Sequence, residues 1–183
     1  MALRKLYIGE MPITPEDVAA HRRDDAVMVE TALLSNIIIP GVVAQAEART
    51  GAAIRQARYV ESWQPSRPSG SPLDVGQAYQ VEAVDALSAD GVPVPSGATV
   101  FLQQEMRESY LHFASGRPSG ILQITYLAGL NLAAYPSVRT WLLMQIGTVY
   151  AQRETLVMGM SVAALPHSFL DTMLADIEVP PRF

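Results

Sequence analysis

The sequence contains no cysteine. That removes disulfide frameworks, thiolate zinc sites and a cysteine nucleophile, and it fits synthesis in a reducing cytoplasm. Charge is also scarce. Asp, Glu, Lys and Arg make up 17% of the 183 residues, against about 25% in an average soluble domain. A surface so short of charge suggests coverage by partners. Lys5 is the sole lysine, and the densest basic point, Arg22–Arg23, is followed at once by Asp24 and Asp25. With a net charge of −5 and no basic run, nothing marks a patch for gripping nucleic-acid phosphates. DNA passing close by without being gripped stays compatible with such a chain. The apolar stretches Val27–Ala46 and Val138–Tyr150 are interrupted by polar residues or proline, so neither is expected to span a membrane. Met1–Tyr7 is too short and too broken by charge for a signal peptide.

Catalytic constellations are equally thin. His21, His112 and His167 are far apart, and none has a carboxylate or second histidine at metal-ligand spacing. The sequence has no Gly-x-Ser-x-Gly elbow and no phosphate-cradling glycine loop. Asp24–Asp25 read as a helix cap rather than an acid pair, and Asp85 and Asp90 as residues flanking a turn. Trp63 and Trp141 read as core or interface aromatics. No cofactor and no metal are expected, and the chain reads as a non-enzyme.

Length permits one domain, folding on a core that buries roughly 70% of the unfolded surface. Thr14-Pro15-Glu16-Asp17 predicts a short helix with Thr14 as N-cap and Pro15 in the first position, running to about Arg23. A longer helix is predicted from Ala26 to Arg49, kinked or split at Pro40-Gly41 and stopped at Thr50-Gly51. Strands are predicted at Tyr59–Trp63, Tyr79–Val84, Thr99–Leu102, Tyr110–Phe113 and Ile121–Tyr126, with turns at Ala89–Val92 and Arg117–Gly120. Pro65–Gly76 reads as loop. Helix returns after Pro136 with Val138, Trp141, Leu142, Ile146, Val149 and Tyr150 on one face, ending near Arg153-Glu154. A last short helix is predicted from Pro166 to Ile177, followed by an extended tail. Leu156-Val157-Met158-Gly159-Met160 is apolar, lacks a clean period and needs something to bury it.

In order and spacing, these pieces resemble the head–tail connector (adaptor, or head-completion) proteins of long-tailed bacteriophages and gene transfer agents. The carrying residues are Thr14-Pro15-Glu16-Asp17-Val18-Ala19-Ala20-His21-Arg22-Arg23 with the acidic pair after it, and the helix ending Ala46-Glu47-Ala48-Arg49-Thr50-Gly51. The Asp90-Gly91 hairpin, Leu122–Gly129, Tyr150–Glu154 and Leu165-Pro166 complete the set. The resemblance implies an α+β, mainly α fold: a helical bundle with a β-rich insertion and an extended C-terminal arm. It places a connector domain at 1–154, with helices at about 14–50 and 136–154 and the insertion at about 55–129, and an arm at 155–183.

The function it implies is a structural virion protein, a ring beneath the portal, typically of twelve subunits. The ring would join capsid to tail and bind a stopper or tail-side neck protein below. DNA would pass through without sequence-specific binding, and no membrane is involved. The protein would reside in the virion neck after synthesis in the host bacterial cytoplasm. The resemblance also implies that the C-terminal segment reaches the portal, which makes Leu156, Val157, Met158, Met160, Phe169, Val179 and Phe183 the candidate contacts. Two other readings stay open: another neck component (a stopper or tail terminator), and a small enzyme with a scattered site.

Overall fold

The computed structural model describes residues 2–23, 30–151 and 172–181. The chain divides into two compact units, residues 1–10, 51–130 and 177–183 in one and residues 11–50 and 131–176 in the other.

The first unit is made of strands. β1 (Leu3–Tyr7), β2 (Ala57–Trp63), β3 (Ser71–Pro72), β4 (Ala78–Leu87), β5 (Pro93–Pro95), β6 (Val100–Gln104), β7 (Ser109–Phe113) and β8 (Leu122–Ala128) form two antiparallel sheets. The orders are β1-β2-β8-β4-β5 and β3-β7-β6. β8 is central because its alternation is strong: Leu122, Ile124, Tyr126 and Ala128 point inward and are fully buried. β2 pairs with it from Ala57↔Ala128 to Trp63↔Leu122, which sets Tyr59 on Tyr126 with ring centroids 5.8 Å apart. Inward residues of both sheets, among them Trp63, Leu111, Phe113, Ile124 and Tyr126, share one core.

The turn predicted at Ala89–Val92 holds, while the one predicted at Arg117–Gly120 is a bend at 119–120 after a turn at 114–115. Gly91 adopts φ +74° in the β4–β5 hairpin, a left-handed conformation that glycine adopts without strain. β5 lies at a sheet edge, where Pro93 and Pro95 cost no ladder hydrogen bonds. Asp85 lies within β4 opposite Pro95, not beside the turn.

The second unit holds the helices. α1 (Pro15–Arg22) starts on the predicted cap: Thr14 Oγ1 accepts from Asp17 N at 3.2 Å and Asp17 Oδ2 accepts from Thr14 N at 3.0 Å. α2 spans Thr31–Thr50. Proline lacks an N–H and its ring crowds the preceding turn. α2 absorbs Pro40 without breaking, by a wider π-helical turn over Leu34–Ile38 just before it. Gly51, at φ +71°, stops the helix as predicted. By length and composition α2 could cross a membrane, but 39% of its most apolar window is buried in the protein's own fold.

α3 (Pro136–Ala151) takes Pro136 as its first residue. It is fastened by Arg139 to Asp17 at 2.7 Å and by Arg22, which donates to the Gly147 carbonyl at 3.0 Å and lies over the Tyr150 ring. Tyr150 Oη in turn accepts from Glu30 N at 3.1 Å.

One expectation is overturned. About 32% of the protein is helix and 29% strand, with three helices and two antiparallel sheets among the described residues. It is sheet-rich, not a mainly α bundle with an insertion. β1 and β5 carry no sequence signal that survives their charges and prolines, and β4 runs three residues past its predicted end at Val84, to Leu87. The Asp24–Asp25 cap, the end of the α3 region and the first half of the Pro166–Ile177 helix fall outside the described residues. In the part described there, Thr172 is helical and Met173–Ile177 form a turn, with Ala175 N donating to Thr172 O.

Candidate functional site

Trp63 and Glu61 alternate with Tyr59 on the inward face of β2, so a carboxylate enters the core. Glu61 is 1% exposed. Its Oε2 accepts from Tyr126 Oη at 3.0 Å and from Asp74 N at 2.9 Å, while Oε1 accepts from Trp63 Nε1. Arg67 completes the set. Its guanidinium lies 3.5 Å from Glu61 and 3.1 Å from Asp74, stacks over the Trp63 ring at 4.5 Å, and donates to the Pro72 carbonyl.

Burial raises the Glu61 carboxyl above the usual range, opposed by the Trp63 and Asp74 hydrogen bonds and the Arg67 charge. Burial, and then the neighbouring Glu61 charge, hold Tyr126 well above an ordinary phenol. The arrangement is saturated with partners. It pins the Pro65–Gly76 loop onto β2, with the Glu61 carboxylate buried beneath Arg67 and Asp74. Sequence reasoning missed it, although a Glu at an inward position between Tyr59 and Trp63 is a readable signal.

The surface is more informative. One open groove of about 360 Å³ runs between β4 and β6, lined by Tyr79, Gln80, Val81, Phe101 and Gln104 among others. Phe101 is 55% exposed and stacks on His112 at 4.9 Å, 6° from parallel. On the far edge of the larger sheet, Leu3 and Leu6 are 63% and 56% exposed.

Of the histidines, His112 thus packs on Phe101, His21 is exposed on α1, and His167 lies outside the described residues. Among the described residues no group of three His, Asp or Glu could hold a metal. Both tryptophans are buried.

Of the portal-contact candidates, Leu156, Val157, Met158, Met160, Phe169 and Phe183 lie outside the described residues. Val179 is half-buried, and its side chain lies over Gly51 and Gly76: a Cβ on either would come within 3.3 and 3.0 Å of it. Ile177, two residues earlier, is fully buried. The last described residues therefore belong to the strand-rich unit.

No family model and no curated protein matches the sequence. Solved structures do. A chain of the virion of a native gene transfer agent (GTA) particle superposes with a TM-score of 0.77 at 17% identity, covering 100% of this chain and 97% of that one. A chain in the neck of an empty GTA particle, computed with C6 symmetry, gives 0.74 at 16% identity, over 100% of this chain and 97% of the other. One in the neck of the native particle, computed with C12 symmetry, gives 0.65 at 17% identity, over 97% and 96%. At these identities the likeness is one of fold, and it extends end to end through both units.

Proposed function

We propose that this chain is a structural neck protein of a phage-like particle: a head–tail connector subunit that forms a ring beneath the portal. The observation that carries the reading is the fold shared over the whole chain with a component of a GTA virion. The six- and twelve-fold symmetry used for the necks that contain similar chains supports a closed ring. In this reading the protein works by docking rather than catalysis. Twelve copies surround the DNA exit channel, with the portal above and a stopper or tail-side protein below. The net charge of −5 suits a channel that DNA must leave, since strong phosphate contacts would retain it.

The apolar run Leu156, Val157, Met158 and Met160, with Phe169, is the proposed portal contact. Val179 and Phe183 extend it less securely, because Val179 already packs on Gly51 and Gly76. The test is a variant with Leu156, Met158 and Met160 changed to Ser, mixed with the portal of its own particle. The expected result is a folded protein that no longer binds; undiminished binding would sink the assignment. A second reading, a stopper or tail terminator, gains ground from the two sheets, because such proteins are rich in strand. The 20-residue α2 and the 16 residues of α3 weigh against it.

A further inference from the structure

α2 is an apolar helix that its own fold covers only in part. It is long and apolar enough to span a membrane, yet 39% of its most apolar window is buried. Leu34, Ile38, Val42 and Ala46 are buried. The opposite side, through Ala32, Asn36, Ile37, Gly41, Ala44 and Ala48, is exposed. Ile37 is 65% exposed. No charged residue is exposed on α2 before Arg49 in the last turn, whereas a helix side that faces water is ordinarily charged or strongly polar.

The path of the chain names an occupant. Tyr150 Oη accepts from Glu30 N, so α3 ends beside the start of α2. The described chain resumes at Thr172 and leads to Val179, which lies over Gly51, the residue that stops α2. Residues 152–171 thus depart from one end of α2, and the chain comes back at the other. Their described flanks, up to Ala151 and from Thr172 to Asp176, belong to the same compact unit as α2. α2 is about 30 Å long. A stretch the length of 152–171 reaches about 30 Å as helix and roughly 65 Å fully extended, so it can run beside the whole of α2. Composition matches as well. From Thr155 to Leu170 there is no Asp, Glu, Lys or Arg. Leu156, Val157, Met158 and Met160 bring apolar area that water disfavours, and the free chain has no portal to cover it.

We propose that residues 155–170 lie along the outer side of α2 in the free protein, over Ile37, Gly41 and Ala44. The occupant is this segment of the same chain. The proposal goes beyond the portal reading, because it concerns the chain before any partner is bound.

The absence of cysteine makes the test direct. Ala44→Cys on α2 and Val92→Cys in the β4–β5 hairpin each put one thiol at an exposed position. Each is reacted with a maleimide-coupled polyethylene glycol on the free full-length chain, and the rate is normalised to that in urea. Both are repeated with Leu156→Ser, Met158→Ser and Met160→Ser added. The Ala44→Cys thiol is expected to react at least about tenfold more slowly than the Val92→Cys thiol, since a covered thiol reacts only through local opening. The serine substitutions are expected to remove that difference. Equal rates for the two thiols in the parent chain would overturn the proposal, whether or not the serine variants fold. Protection that survives the serine substitutions would overturn it too. Protection that grows with protein concentration would overturn it in favour of a second copy. All rates are taken without portal, so each of these results leaves the portal reading to its own test.

Discussion

Ile177→Ala tests whether the C-terminal residues are part of the fold or an arm waiting for a partner. Ile177 is fully buried, and Val179 beyond it covers Gly51 and Gly76. Removing the branched side chain of a fully buried isoleucine costs about 2–5 kcal/mol, the transfer energy of the lost carbons plus the cavity left behind. We expect about 3 kcal/mol here. Val179→Ala, at a half-buried position, should cost about 1 kcal/mol. For a chain of this length about 3 kcal/mol lowers Tm by roughly 6–12 °C. Two compact units need not unfold together, so a single Tm is not the best readout. Amide exchange on β2 and β8, followed through urea unfolding, reports the strand-rich unit by itself. A loss below about 0.5 kcal/mol, within the range of a surface substitution, would refute the reasoning and restore a free arm. The expected result also has a practical consequence: a deletion of residues 155–183 removes core, so loss of portal binding by that truncation could not be read as loss of a contact.

Glu61→Ala should cost about 3–5 kcal/mol by urea unfolding, because Trp63 Nε1, Tyr126 Oη and Asp74 N lose their acceptor and the Arg67 charge loses its more deeply buried partner. The Glu61 carboxyl is raised above its ordinary value of 4.5, chiefly by burial. Its contribution is therefore full below that pH and is lost as pH rises through the raised value. Glu61→Gln should flatten that part of the stability–pH curve, measured as urea midpoints above pH 4.5; an unchanged slope would contradict a Glu61 carboxyl raised by burial. Thr14→Ala removes the Oγ1 acceptor of the α1 capping box, while the backbone N–H that donates to Asp17 stays, and should cost about 1 kcal/mol, read by amide exchange at the start of α1.

Local signals carried much of the fold. Thr14, Gly51, Asp90-Gly91 and the alternation of Leu122–Ala128 each name a short-range conformational requirement, and each lies where such a requirement places it. Long-range pairing was not legible. β1 is a strand because β2 offers it a ladder; alone, Leu-Arg-Lys-Leu-Tyr has no alternation to reveal one, and its bulge breaks what period there is. β5 is bounded by the two prolines that mark a loop in any one-dimensional reading. These omissions, with the length of β4, turned a sheet-rich protein into an expected helical one. Pro40 was seen as a problem for α2, but its remedy, a π turn, depends on how the helix packs. For the site, alternation along β2 pointed Glu61 inward, while its partners Arg67, Asp74 and Tyr126 come from a loop and a strand that only the folded chain brings together.

The central claim is that the chain forms a ring at a particle neck, and cryo-electron microscopy of the purified protein mixed with its own portal tests it most directly. The account predicts a closed ring of twelve copies seated under the portal, each subunit superposing on the fold described above. A chain that stays monomeric beside intact portals, or a ring that binds the tail end and leaves the portal bare, would contradict it.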